Sequence, residues 1–186
     1  MTHTRTYQGH ELPPAGKYQI DPAHSTVEFV SRHLMVAKVR GRFDQFSGVF
    51  EVADDPTRSS VEVAIQAASV NTNQEQRDQD LRSEGFLLTE ENPEITFTST
   101  DVRLEGDTWK VAGDLSIRGE TNPVTLEVEF LGFMKDPFGQ EKAIFSAETT
   151  INRHDFKVSW NAPLEAGGFL VGDEVKIELQ VQGIRQ

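Results

Sequence analysis

The chain has no cysteine among its 186 residues. Disulfides and thiolate chemistry are therefore excluded, and the fold must be held by packing and hydrogen bonds alone. No stretch approaches the run of about 18 apolar residues that a membrane-spanning helix needs. The N-terminal segment, MTHTRTYQGHELPPAG, also lacks the apolar centre of a secretory leader. Neither stable membrane insertion nor export is expected, and a cytoplasmic location is the default. Positive charge is scarce: 18 Lys and Arg face 30 Asp and Glu, a formal net charge of -12. That balance argues against nucleic acid or an anionic membrane as a partner, leaving a local basic patch as the one route to either.

What the chain does have is apolar alternation with period two, which marks half-buried strands. STVEFVSRH places Val27, Phe29 and Ser31 on one face, and FSGVFEVA places Phe46, Gly48, Phe50 and Val52. SVEVAIQA aligns Val61, Val63 and Ile65, and EITFTS aligns Ile95 and Phe97. WKVAGDLSI gives Trp109, Val111, Gly113, Leu115 and Ile117, and VTLEVEF gives Val124, Leu126, Val128 and Phe130. IFSAETTI runs in the register Phe145, Ala147, Thr149, Ile151, and VKIELQVQ gives Val175, Ile177, Leu179 and Val181. About eight strands separated by turn-forming clusters such as DDP, EGD, GETNP and DPFG describe an antiparallel all-β domain. Residues 1–16 show no periodicity and are expected to be a disordered tail, with one domain over 17–186.

One stretch departs from the pattern. From Asn73 to Leu88 there is no β-branched residue, and NQEQRDQDLR holds helix formers, an Asn for a cap and charge pairs at helical spacing such as Asp78 with Arg82. Leu81 is its one apolar residue before Phe86, so a short surface helix linking two strands is expected. The longest irregular stretch, 153–172, includes NAPLEAGGF. It reads equally as a gate over an opening or as an ordinary packed loop.

Chemistry is harder to find. His24, His33 and His154 are the histidines of the expected domain, and no two have the spacing that presets a zinc site. Asp21, His24 and Ser25 use hydrolase residue types, but neighbours on an extended segment point to opposite faces, and no G-x-S-x-G occurs. Neither a metal nor a catalytic centre is expected.

An eight-stranded barrel can be filled by its own side chains or can hold one small ligand. An empty pocket of roughly 300 Å³ would cost on the order of 7 kcal/mol, comparable to a whole domain's stability. An apolar lumen is therefore either packed solid or gains greatly from an apolar guest. Periodicity does not choose between a hollow barrel and a filled β-sandwich serving as a stress-related interaction module.

YQIDPAHSTVEFVSRH, VRGRFDQFSGVF, RDQDLRSEGFLLTEENPEITFTST, VAGDLSIRGETNPVTLEV, INRHDF and VGDEVKIELQVQ, in that order, resemble the YceI-like family over about residues 17–183. The resemblance implies an extended, eight-stranded antiparallel lipocalin-like barrel with a short helix between strands. Its lumen would carry or sequester a polyisoprenoid, isoprenoid quinone or fatty-acid- or amide-like lipid non-covalently, without catalysis and without any cofactor besides that lipid. The expected lining is Phe29, Phe46, Phe50, Val63, Ile65, Phe97, Leu115, Ile117, Leu126, Val128, Phe130, Phe145, Phe156 and Trp160. Arg77, Asp78, Arg82 and Arg153 are candidates for a polar headgroup or for structural ties. Exposed sheet edges would allow a homodimer. The chain departs from the family at Lys157, where members commonly carry glycine after Asp-Phe.

Overall fold

The structure, a computed structural model, describes residues 3–186. In chain order the strands are β1 (Arg5–Tyr7), β2 (His10–Leu12), β3 (Gly16–Ile20), β4 (Thr26–His33), β5 (Ala37–Phe43), β6 (Phe46–Val52), β7 (Ser60–Gln66) and β8 (Val70–Asn71). Among the described residues one α-helix, α1 (Glu75–Arg82), precedes β9 (Glu94–Glu105), β10 (Thr108–Ile117), β11 (Glu120–Lys135), β12 (Glu141–Asn152) and β13 (Val171–Arg185). Every pairing is antiparallel. The order β12-β11-β10-β9-β7-β6-β3-β13 closes on itself through β12 and β13, giving an eight-stranded barrel.

The eight alternating segments of the sequence are β4, β6, β7 and β9–β13, but the ring is not composed of those eight. β3 and β4 share one edge of β13: β3 pairs with Gly183–Arg185 and β4 with Val171–Gln180. β3 then closes the ring on β6, while β4, β5 and β8 continue as a flap beside it. The signal for β3 and β5 is short. GKYQI alternates over five residues, and AKVRGRF puts a glycine where an inward apolar side chain is expected.

The expected disordered tail is instead structured from residue 5. β1 and β2 form a hairpin that ends in Leu12, 5 % exposed, followed by a fully buried Pro13. The Arg5 guanidinium donates to the carbonyls of Pro13, Asp54 and Ala53, and Tyr7 packs on Trp109 with ring centroids 5.8 Å apart. His10 lies in β2, near Asp107, and only His3 precedes the hairpin. Strands of three residues are too short to show periodicity, and the ties that hold them are long-range.

Helix α1 forms where expected, with Gln74 rather than Asn73 as its cap. The pair of Asp78 with Arg82 does not form. Asp78 turns inward, where its carboxylate accepts from the Thr72 amide and hydroxyl at 2.8 and 2.6 Å, and Arg82 pairs with Glu75 at 3.8 Å.

Two buried polar groups lock the end of the barrel near β3. Lys142, 8 % exposed, reaches the carboxylates of Asp21 at 3.0 Å and Asp136 at 3.7 Å. Burial alone would raise the Asp21 carboxyl, but hydrogen bonds from His24, Lys142 and the Ala23 amide outweigh it and hold it below its ordinary value. Tyr18 is completely buried and donates to the Pro14 carbonyl at 2.8 Å, and burial pushes its phenol up to about 12.

Candidate functional site

The inward faces of the ring, with those of the β4–β5–β8 flap, line an apolar cavity of about 370 Å³. Left empty and dry, such a space would cost about 9 kcal/mol at ~24 cal/mol per Å³. The cavity makes the barrel hollow and not filled, and that cost is what a guest would offset.

The alternation alone does not explain why, because it supplies many phenylalanines. Three of them lie flat against glycines. The Phe29 ring covers Gly41, its partner across the β4–β5 ladder, so closely that a Cβ there would stand 2.3 Å from Cζ. Phe50 covers Gly183 at 2.3 Å and Phe97 covers Gly113 at 2.5 Å in the same sense. Each ring uses the missing side chain as its own space and leaves the axis clear. Between them the wall is built of smaller residues, including Val63, Val111, Val124, Ala147 and Thr149.

Aromatic side chains gather at one end of the lumen. Tyr18 stacks on Phe50 at 5.0 Å, Phe50 meets Phe145 edge-on at 5.6 Å, and Phe145 meets Phe130 at 5.3 Å. Val52, Phe133 and Ala143 complete this cluster. At the other end lies a cluster built on Ala67, Ile95, Phe97, Leu115, Ile117 and Phe156. Two loops meet there. Phe86 and Leu87, from the loop after α1, line the cavity, and Trp160 rests on Phe86 with ring centroids 5.5 Å apart.

Twelve of the fourteen expected lining residues face the cavity: Phe29, Phe46, Phe50, Val63, Ile65, Phe97, Leu115, Ile117, Leu126, Val128, Phe145 and Phe156. Phe130 and Trp160 do not. Phe130 pairs with Phe145 in the register of Val128 and keeps the inward parity, but it stands in the aromatic cluster beyond the end of the cavity; the register shift that follows it turns Phe133 inward beside it. Trp160 is 45 % exposed because it covers the Phe86 ring from outside. The cavity also uses Leu12, Ile20 and Val70, from strands of two to five residues, and Phe43, from β5, where Gly41 interrupts the apolar alternation. For Ile20 and Phe43 a signal exists in the short alternations Tyr18–Ile20 and Val39–Gly41–Phe43.

Of the four polar candidates, only Arg153 reaches the wall. Arg77 donates to the hydroxyl and carbonyl of Thr72 at 2.8 and 2.9 Å, completing a closed set with Asp78. Arg82 donates to the carbonyls of Ala68 and Val70 at 2.8 and 3.3 Å. These residues tie α1 to the chain before it. Arg153, 4 % exposed, donates to the carbonyls of Gly172 at 2.8 Å, Val158 at 2.6 Å, Trp160 at 3.0 Å and Val171 at 3.4 Å. One side chain thus gathers both ends of the loop 157–170. Burial pulls its guanidinium below the ordinary value, with the Asp173 carboxylate opposing.

The same loop shows what the departure at Lys157 means. Lys157 caps the turn Arg153–Phe156 with φ 57° and ψ 21°, a left-handed conformation in which glycine is favoured. The chain keeps the turn and bears the strain.

Asp21 and His24 are in contact after all, at 2.7 Å, because residues 21–25 form a turn and not an extended strand. No relay results. The Ser25 hydroxyl accepts from the Gln182 amide at 3.0 Å and leans on its carbonyl at 3.4 Å. Among the described residues no group of three His, Asp or Glu side chains converges to hold a metal ion.

A hollow antiparallel barrel with this sequence order has recognisable relatives. Protein YceI of Escherichia coli O17:K52:H18 is 38% identical over 175 residues, covering 92% of this chain and 88% of that protein. The crystal structure of Burkholderia cenocepacia BcnA superposes with a TM-score of 0.77 at 22% identity, over 88% of this chain and 98% of that one. A polyisoprenoid binding domain from Saccharophagus degradans, implicated in plant cell wall breakdown, shares the fold with a TM-score of 0.65 at 16% identity, covering 93% of this chain and all of that one. The profile of the YceI-like domain matches residues 18–183, and the chain belongs to that family.

Proposed function

We propose that the protein binds a long apolar molecule non-covalently in the barrel lumen, as a carrier or a sequestering store and not as a catalyst. The observation that carries this reading is the apolar cavity of about 370 Å³, kept open by phenylalanines folded onto glycines. A guest that fills it offsets the cost of the void. Ten buried methylenes would contribute about 8 kcal/mol, which corresponds to micromolar affinity before ordering costs.

The polar groups narrow the class. Arg77 and Asp78 are engaged by Thr72, Arg82 by the carbonyls of Ala68 and Val70, and Arg153 is committed to four carbonyls. A small uncharged polar end, such as an alcohol, a quinone or an amide, suits this arrangement better than a carboxylate or a diphosphate. The polyisoprenoid binding domain among the structural relatives supports the same class. An apolar wall separates chains differing by one methylene by only about 1–3 kcal/mol, so length and branching select the guest.

Native mass spectrometry of freshly purified protein, followed by organic extraction, tests the reading. A stoichiometric apolar adduct is the expected result. A clean protein mass, unchanged after incubation with a prenol, a quinone and a fatty amide, would overturn it.

A further inference from the structure

At the 157–170 loop, the lumen is bordered by a surface with properties the carrier reading does not require. The turn between β4 and β5 consists of Leu34, Met35 and Val36, which are 49 %, 56 % and 78 % exposed. It lies against the tip of the 157–170 loop, where Phe169 is 57 % exposed. The Leu34 amide donates to the Leu170 carbonyl at 2.9 Å, and Gly168 sits against the Met35 thioether. Four large apolar side chains from two loops thus stand together in solvent.

The turn is also strained. Leu34 and Met35 adopt φ 51° and 68°, consecutive left-handed conformations that turns normally assign to Asn or Gly. Local chemistry would favour polar residues here on two counts, conformation and exposure.

Charge adds an independent observation. Residues 29–43 contain Arg32, Lys38, Arg40 and Arg42 and no carboxylate, in a chain of net charge -12. Arg42 pairs with Asp44 at 2.8 Å, and Arg40 lies 3.7 Å from Glu178. Arg32 and Lys38 have no ion pair among the described residues, although they face each other directly across the β4–β5 ladder. Like charges opposite one another are destabilising in a sheet. Glu165 is the one carboxylate between Lys157 and Leu170 in the neighbouring loop.

Exposed apolar side chains at a tip, with unpaired cations directly behind them, match the two layers of an anionic bilayer. The apolar tip enters the acyl boundary and the cations meet the headgroups. We propose that the β4–β5 turn and the Phe169 loop form a peripheral docking surface for anionic lipid bilayers. Docking would set this end of the lumen at the membrane without any spanning segment. It goes beyond lumen binding and does not depend on it, since it is read on vesicles whether or not the lumen is occupied.

Co-sedimentation with vesicles tests this, comparing phosphatidylcholine alone with phosphatidylcholine containing phosphatidylglycerol. The wild-type chain should partition onto the anionic vesicles, weaken with added salt and ignore the neutral ones. Neutralising both free cations (Arg32→Gln with Lys38→Gln) should lower the partition about 30-fold, at roughly 5-fold per charge. Met35→Asn supplies a fold-independent check. It relaxes a left-handed residue, so it should keep or raise the melting temperature while lowering the partition. No binding to anionic vesicles overturns the proposal. Binding that none of these substitutions changes also overturns it, as does retention of a co-purified protein on the same surface without vesicle binding.

Discussion

Replacing Gly41 with alanine should narrow the lumen while leaving the barrel folded. A Cβ at this position would stand 2.3 Å from Phe29 Cζ and 2.8 and 2.9 Å from Cε1 and Cε2, whereas carbon atoms settle at about 3.5–4.0 Å. The ring must lift off the wall, and the space beside it is the cavity. The overpacking should cost about 1–3 kcal/mol, and alanine recovers about 0.5–1 kcal/mol over glycine in a strand. The net loss is then at most about 2.5 kcal/mol, a fall of up to roughly 10 °C in Tm for a domain of this size. A ring swung inward that displaces about three methylenes of a guest should weaken binding by ~2.4 kcal/mol, or about 60-fold. Trp109 lies on the cavity wall, so a quinone titrated into a Trp160→Phe background reports affinity by quenching. Adding Phe29→Leu to the Gly41 variant should restore most of the affinity. Wild-type affinity in the folded single variant, or failure of the second substitution to rescue it, would refute the idea that rings folded onto glycines keep the lumen open.

Lys157→Gly should stabilise the protein by about 0.5–1 kcal/mol in a denaturant melt, because it relieves a left-handed lysine. The exposed pair of Lys157 with Glu120 at 2.9 Å that it removes contributes little. Arg153→Lys cannot fork onto four carbonyls, so hydrogen exchange should accelerate across 157–172 more than in the barrel strands; uniform acceleration would show that the loop is not held separately. Asp21 has its carboxyl held low in the fold, so its contribution is present above about pH 4, the unfolded value, and is lost as pH falls through the lowered folded value. Thermal melts between pH 5 and 2 should therefore flatten in Asp21→Asn. Tyr18, pushed up to about 12, contributes stability that is complete below about pH 10 and lost as pH rises through the folded value; in Tyr7→Phe, phenolate absorbance should rise near 12, and a rise near 10 in the folded protein would refute its burial.

Much of this was legible in the chain. Period-two alternation in eight segments marks the inward faces, and eleven of the expected lining residues within those segments do line the cavity, because side-chain direction in a strand is set by parity alone. The linker helix was legible from the composition of 73–88, and the strain at Lys157 from one residue in a family motif. Local pattern could not carry the rest. The hairpin of residues 5–12 is held by Arg5 on carbonyls some fifty positions away, and β3 enters the ring only through its pairing with β6 and with the C-terminal end of β13. Phe130 matches its neighbours in parity, but the aromatic cluster around Phe145 takes it up beyond the end of the cavity. Arg77 and Arg82 read as either headgroup ligands or structural ties, and only the carbonyls of Thr72, Ala68 and Val70 around them show the second. The sequence by itself determined an antiparallel all-β domain with apolar inward faces, and its family likeness implied a barrel. Whether that interior is empty was decided in three dimensions, where Gly41, Gly113 and Gly183 come to lie beneath Phe29, Phe97 and Phe50, because the volume left inside a closed sheet depends on which residues meet across it.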